Sequence, residues 1–102
     1  MAINSSINIF TKQPDEIIPI SVDYVLLLND TETITSLSVG AVDASAVNVT
    51  STIIYNSVIN GDECRATVKS GTDGYRYKIT FKATTSEGNI YEEDVFMVVS
   101  AI

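Results

Sequence analysis

Asp73-Gly-Tyr-Arg-Tyr-Lys-Ile-Thr-Phe-Lys-Ala-Thr-Thr-Ser-Glu-Gly-Asn-Ile-Tyr-Glu-Glu-Asp-Val-Phe-Met-Val-Val99 is the stretch that decides the fold. Successive side chains of a strand point to opposite sides. Tyr75, Tyr77, Ile79, Phe81 and Ala83 therefore share one face, and Arg76, Lys78, Thr80, Lys82 and Thr84 share the other. Ser86-Glu87-Gly88 supplies a three-residue hairpin loop, with glycine where such loops take a left-handed residue, and Tyr91 to Val99 runs back. Pairing Thr85 with Asn89 sets Ile79 against Val95 and Tyr77 against Met97 inside, and Lys82 against Glu92 outside. A shift by one residue sets Phe81 against Glu92 on the buried side, so the residue pattern specifies the register.

Outward from this hairpin the chain continues to read as strands. Asn60-Gly61 predicts a type I′ turn joining a region that ends at Ile59 to a strand over 63–69. Before it, Val47, Val49, Ile53 and Tyr55 alternate with Asn48, Thr50 and Thr52, which predicts a fourth strand. Thr33 to Val42 is a third, with Leu37 and Val39 on one face and Ser36 and Ser38 on the other. Val22, Tyr24, Leu26 and Leu28 form the apolar face of a long second strand that ends in the turn residues 29–32. Val25 and Leu27 are apolar on its outer side, so that strand is either covered on both faces or meets a partner. Pro14 and Pro19 mark an edge strand with a break, because proline cannot donate to a ladder. Residues 1–13 read as an extended arm or edge strand and 14–102 as the folded body. With no helical periodicity and about seven strands at ten-residue spacing, the fold class is all-β, a single antiparallel β-sandwich.

Composition narrows the function classes. A chain of 102 residues, 45% hydrophobic and 19% charged, makes one domain with one core, and no apolar run approaches the ~18 residues of a membrane span. The opening Met-Ala-Ile-Asn-Ser-Ser has neither a basic start nor an apolar stretch, so no secretory signal is expected and folding in a cytoplasm is. A net charge of -7 argues against nucleic acid. Arg65, Lys69, Arg76, Lys78 and Lys82 are close in sequence, whereas the first sixty residues hold Lys12 against Asp15, Glu16, Asp23, Asp30, Glu32 and Asp43. That asymmetry suits head-to-tail contact between copies. Cys64 is the single cysteine, which excludes an internal disulfide, and it shares parity with Ala66 and Val68 as a buried structural thiol would. The absence of histidine removes Ser-His and Cys-His pairs and histidine metal sites. Asp62-Glu63 and Glu92-Glu93-Asp94 read as solvated carboxylates, so no catalytic residue, metal or cofactor is expected.

Asp73 to Ile79 is similar to the corner between strands E and F of immunoglobulin and fibronectin type III domains, where a tyrosine hydrogen-bonds back to the preceding loop. Tyr77 matches that tyrosine, Ile79 stands where antibody domains place a cysteine, and Asp73 matches an acidic residue four positions before the tyrosine. The resemblance implies an immunoglobulin-like (fibronectin III-like) sandwich without a disulfide. A narrower resemblance rests on Phe10-Thr-Lys12-Gln-Pro14-Asp-Glu16, Val22-Asp23-Tyr24, Thr33-Ile34-Thr35-Ser36, Ser70-Gly71-Thr72-Asp73-Gly74-Tyr75-Arg-Tyr77 and Thr84-Thr85-Ser86-Glu-Gly88, in that order. Together they resemble a family of small tailed-phage virion proteins, the fibre–tail adaptor or virion-associated type. This implies a non-enzymatic structural protein of the virion, assembled in the host cytoplasm and acting as a tail or neck adaptor. A capsid decoration protein and a bacterial adhesion or carbohydrate-binding sandwich are the alternatives. The expected partners are tail, neck or capsid subunits and further copies in a symmetric ring, with neither nucleic acid nor membrane. Candidate interface residues are the apolar side chains Ile7, Ile9 and Phe10, Val25 and Leu27, and Phe96 and Val98.

Overall fold

Alternating apolar and polar residues draw seven strands out of residues 8–101, the part that the computed structural model describes. They are β1 (Asn8–Lys12), β2 (Ile18–Asp23), β3 (Ile34–Val42), β4 (Ile54–Asn60), β5 (Glu63–Val68), β6 (Arg76–Thr85) and β7 (Ile90–Val99), with one helical turn, α1 (Thr50–Ile53), before β4. Strands β1-β7-β6-β3 form one sheet and β2-β5-β4 the other, so the protein is all-β with two sheets. Residues 8–12 are an edge strand, and they run parallel to β7 with Ile9 beside Phe96 and Thr11 beside Val98. The expected purely antiparallel pairing is thus corrected at this one place. β1 runs along the last strand, and the chain then crosses through 13–17 to the opposite sheet, so no tight hairpin fixes the direction of β1. Ile7 lies outside the described residues.

The β6–β7 hairpin has Ile79 against Val95, Tyr77 against Met97 and Lys82 against Glu92. The Thr85 N–H donates to the Asn89 carbonyl at 2.9 Å, and Gly88 takes φ +82°. The same register seats Glu93 opposite Phe81 on the inward face, so avoidance of a buried carboxylate does not select it. The loop does. Glu32 reaches across to accept from Thr85 Oγ1, and also from Asn89 Nδ2 at 2.9 Å and the Asn29 N–H at 3.0 Å. These bonds pull the Glu32 carboxyl below the ordinary 4.5, the Thr85 bond contributing most.

Three other expectations are corrected. The second strand stops at Asp23, whose Oδ1 accepts the Val25 N–H at 2.9 Å, while the Tyr24 carbonyl accepts from Leu27 and Leu28. This local turn chemistry ends the ladder and puts Val25 and Leu27 in a turn, not on the outer face of a strand. Leu26, expected to be inside, is 83% exposed. The expected strand through Val47 and Val49 is replaced by a Val42–Asn48 bridge and α1, because Asn48 Oδ1 accepts the Thr50 N–H at 2.9 Å and Ile53 turns inward to full burial. In the turn after β4, Asn60 pairs with Glu63 and the loop is Gly61-Asp62. Positive φ falls on Gly61 alone, at +64°, the pattern of a type II′ turn with glycine first and not of type I′.

Between the sheets lie Phe81, Ile79, Met97 and Val99 from one side and Val68 and Cys64 from the other, all fully buried, with Ile53 and Tyr24 closing the ends. Each large apolar side chain here contributes roughly 1.5–3 kcal/mol by leaving water. Tyr24 follows β2 in one sheet, and its hydroxyl points to the Phe81 carbonyl in the other at 3.4 Å. Burial pushes the Cys64 thiol up to about 11, which suits a packing residue rather than a nucleophile.

Candidate functional site

Two corners hold β1 and the stretch after β7 in place. At the first, Lys12 is fully buried at the end of β1, and its ammonium donates to the carbonyls of Ser70 (2.6 Å), Gln13 (2.7 Å) and Pro14 (3.1 Å). Three N–H donors meet three carbonyls, which is what makes a buried lysine tolerable. Burial pulls its pKa below 10.5, while Glu16 and Asp15 hold it up. Glu16 also accepts the Gln13 N–H at 2.7 Å, so Lys12, Pro14 and Glu16 act on a single turn.

At the second corner, Tyr77 is buried and its hydroxyl accepts the Thr72 N–H at 3.0 Å. Gly71, at φ +94°, lets that loop lie against the sheet. A Cβ there would come within 2.6 Å of Val99 Cγ2 and 3.3 Å of Tyr77 Cε2. Asp73 Oδ1 accepts the Ala101 N–H at 3.0 Å, and Ile79 is fully buried beneath. Lys12 grips the same loop through Ser70, so the end of β1 and the stretch after β7 are both tied to 70–74.

Two surfaces gather candidate interface residues from separate parts of the chain. The first is the outer face of the four-stranded sheet. Register places Ile9, Phe96, Lys78 and Val42 in one row across all four strands, with Thr11, Val98 and Arg76 in the row beside it. Ile9, Phe96 and Val98, far apart in sequence, thus become one apolar band with two cations at its side. The other end of this face is polar, with Thr80 Oγ1 donating to Asp94 Oδ1 at 2.7 Å and Lys82 opposite Glu92.

The second surface is the mouth between the sheets, where edges β1 and β2 lie next to a groove of about 590 Å³. Phe10, Ile20, Val22 and Val95 line it, Val25 and Leu26 project at one end, and Asp23 and Glu93 are its acidic residues, Asp23 with its Oδ1 on the Val25 N–H. Glu93 is buried on the inward face of β7 and accepts from Asn8 Nδ2 at 2.8 Å. Of the candidate interface residues, Ile9, Phe10 and Val25 meet at this groove, whereas Leu27 packs against the core away from it.

Sequence reasoning missed Lys12, Leu26 and Glu93. A signal for Lys12 existed, since it is the single cation among the first sixty residues and stands between Phe10 and Pro14. Glu93 was legible in the hairpin register, which puts it opposite Phe81. Among the described residues no three His, Cys, Asp or Glu side chains gather as metal ligands do, and no helix is long and apolar enough to cross a membrane.

Over residues 12–98 the chain matches a family model described as podophage GP4 fiber-tail adaptor protein gp77. Comparison with curated proteins and with solved structures gives no match.

Proposed function

The chain belongs to the podophage GP4 fiber-tail adaptor family, and on that premise we propose that it joins fibre to tail through the band Ile9, Phe96 and Val98 on the outer sheet face. The family makes it a tail-associated structural protein of a bacteriophage virion. The observation that carries the finer reading is the register that assembles this band from the two ends of the chain beside Arg76 and Lys78. An apolar centre with charges at its rim is the composition of a protein interface. The adaptor works without catalysis, through surfaces alone, and the acidic remainder of the molecule suits contact with the basic side of a further copy in a ring.

The fold is immunoglobulin-like in this reading. The order β7-β6-β3 over β2-β5-β4 is that of strands G, F and C over B, E and D, with the first strand placed beside the last. The Tyr77 corner at the start of β6 supports it. Residues 8–13 belong with the sandwich in the same reading, since Lys12 anchors them to the loop at Ser70.

The test is a phage carrying Phe96→Glu and Val98→Glu, with the purified variant melting as the parent does. Particles with tails but without fibres are expected. A full complement of fibres by electron microscopy rules the band out as the adaptor surface.

A further inference from the structure

We propose that the groove between β1 and β2 receives an extended segment of a tail or fibre protein, which adds as a strand to the free edge of β1 and directs a lysine or arginine toward Glu93 and Asp23. This rests on the adaptor reading and names a second contact, which adjoins the outer sheet face at Ile9.

The edge itself points to strand addition. β1 pairs with β7 on one side only, and it pairs in parallel. Parallel strands are seldom left at the solvent, and an unpaired edge is a template for another chain. β2, across the groove, carries Pro19, which removes a backbone donor, while β1 contains no proline. Of the two edges, β1 is the one open to pairing.

The lining selects the segment. Phe10, Ile20, Val22 and Val95 offer apolar seats for alternate side chains of a strand. Glu93 and Asp23 are the acidic residues of a groove that, among the described residues, no lysine or arginine lines; Glu93 is buried on the inner face of β7 with one neutral donor, Asn8 Nδ2, and Asp23 at the rim has the Val25 N–H. A cation among apolar residues fits both, and a charge-assisted bond to a buried carboxylate is stronger than a neutral one. Leu26, 83% exposed at the end of the groove, gives the incoming chain an apolar contact.

The occupant is a different protein rather than a second copy. Arg65, Arg76, Lys78 and Lys82 lie in β5 and β6, which are paired on both sides, Lys12 is buried, and Lys69, just past β5, has its N–H on the Ile53 carbonyl at 2.9 Å. Residues 1–7 hold no lysine or arginine. Among the described residues no unpaired extended stretch of this chain brings a cation to the groove of another copy.

The test places a benzophenone amino acid at position 26 in assembled particles and identifies adducts by mass spectrometry after irradiation. The expected product joins position 26 to a peptide of another virion protein that has Lys or Arg near the attachment point. Asp23→Asn with Glu93→Gln, which keep the hydrogen-bonding shape without the charge, lower its yield about tenfold. An adduct to a copy of this chain, no adduct in particles that contain the protein, or a yield indifferent to these changes overturns the groove proposal alone. Particles that assemble with fibres but without this protein overturn the adaptor reading and this proposal with it.

Discussion

The β6–β7 hairpin and strand β4 are both rich in apolar residues, yet one is core and the other is surface. Tyr77, Ile79, Phe81, Ala83, Val95, Met97 and Val99 are all buried. In β4, Tyr55, Val58 and Ile59 are exposed, Tyr55 to 65%. The difference lies in what stands against them. β6 and β7 each have a strand on both sides and the second sheet above them, whereas β4 is an edge whose exposed side chains have no layer across from them. Apolar alternation determines which residues share a face, and only packing determines whether anything covers that face.

The sharpest way to break this comparison is to truncate one side chain in each region. Phe81→Ala is expected to cost about 3–5 kcal/mol through lost burial and a cavity, and Ile59→Ala less than about 1 kcal/mol. Similar shifts in urea melts would erase the contrast. Next in size is Lys12→Met, which keeps the apolar stem but leaves the carbonyls of Gln13, Pro14 and Ser70 without their donor. A loss of about 1–3 kcal/mol is expected, and an unchanged midpoint would mean that water replaces the ammonium at no cost.

Tyr77→Phe removes the bond from the Thr72 N–H and is expected to cost about 1 kcal/mol, whereas Tyr75→Phe, on an exposed ring, costs less. Melts that rank the two the other way would move the corner to Tyr75. The smallest effect concerns pH. The folded state holds the Glu32 carboxyl below its unfolded value near 4.5, so its stabilisation is complete above that value and disappears as pH falls through the lower, folded one. The melting temperature of the parent is therefore expected to fall more steeply on acidification below 4.5 than that of Glu32→Gln. Parallel curves would show that the turn of the hairpin does not depend on this carboxylate.

Local chemistry misled the reading where a side chain competed with the backbone ladder. Asp23 and Asn48 each accept a backbone N–H two residues ahead, and each ends an apparent strand that periodicity alone would continue. At Asn60-Gly61 a hairpin was legible, but its two loop residues lie one position later, since Asn60 pairs with Glu63. The candidate surfaces were legible only as separate apolar residues.

By itself the sequence determined the all-β class, the β6–β7 register and the family, because period-two alternation, a glycine loop and short ordered motifs are local signals along one chain. The tertiary structure alone decided that β1 runs parallel to β7, that Lys12 is buried on three carbonyls, and that Ile9 joins Phe96 and Val98 in one band. It also decided that Glu93 and Asp23 share one groove. These are contacts between residues as far apart as Ile9 and Phe96, and no local pattern encodes them.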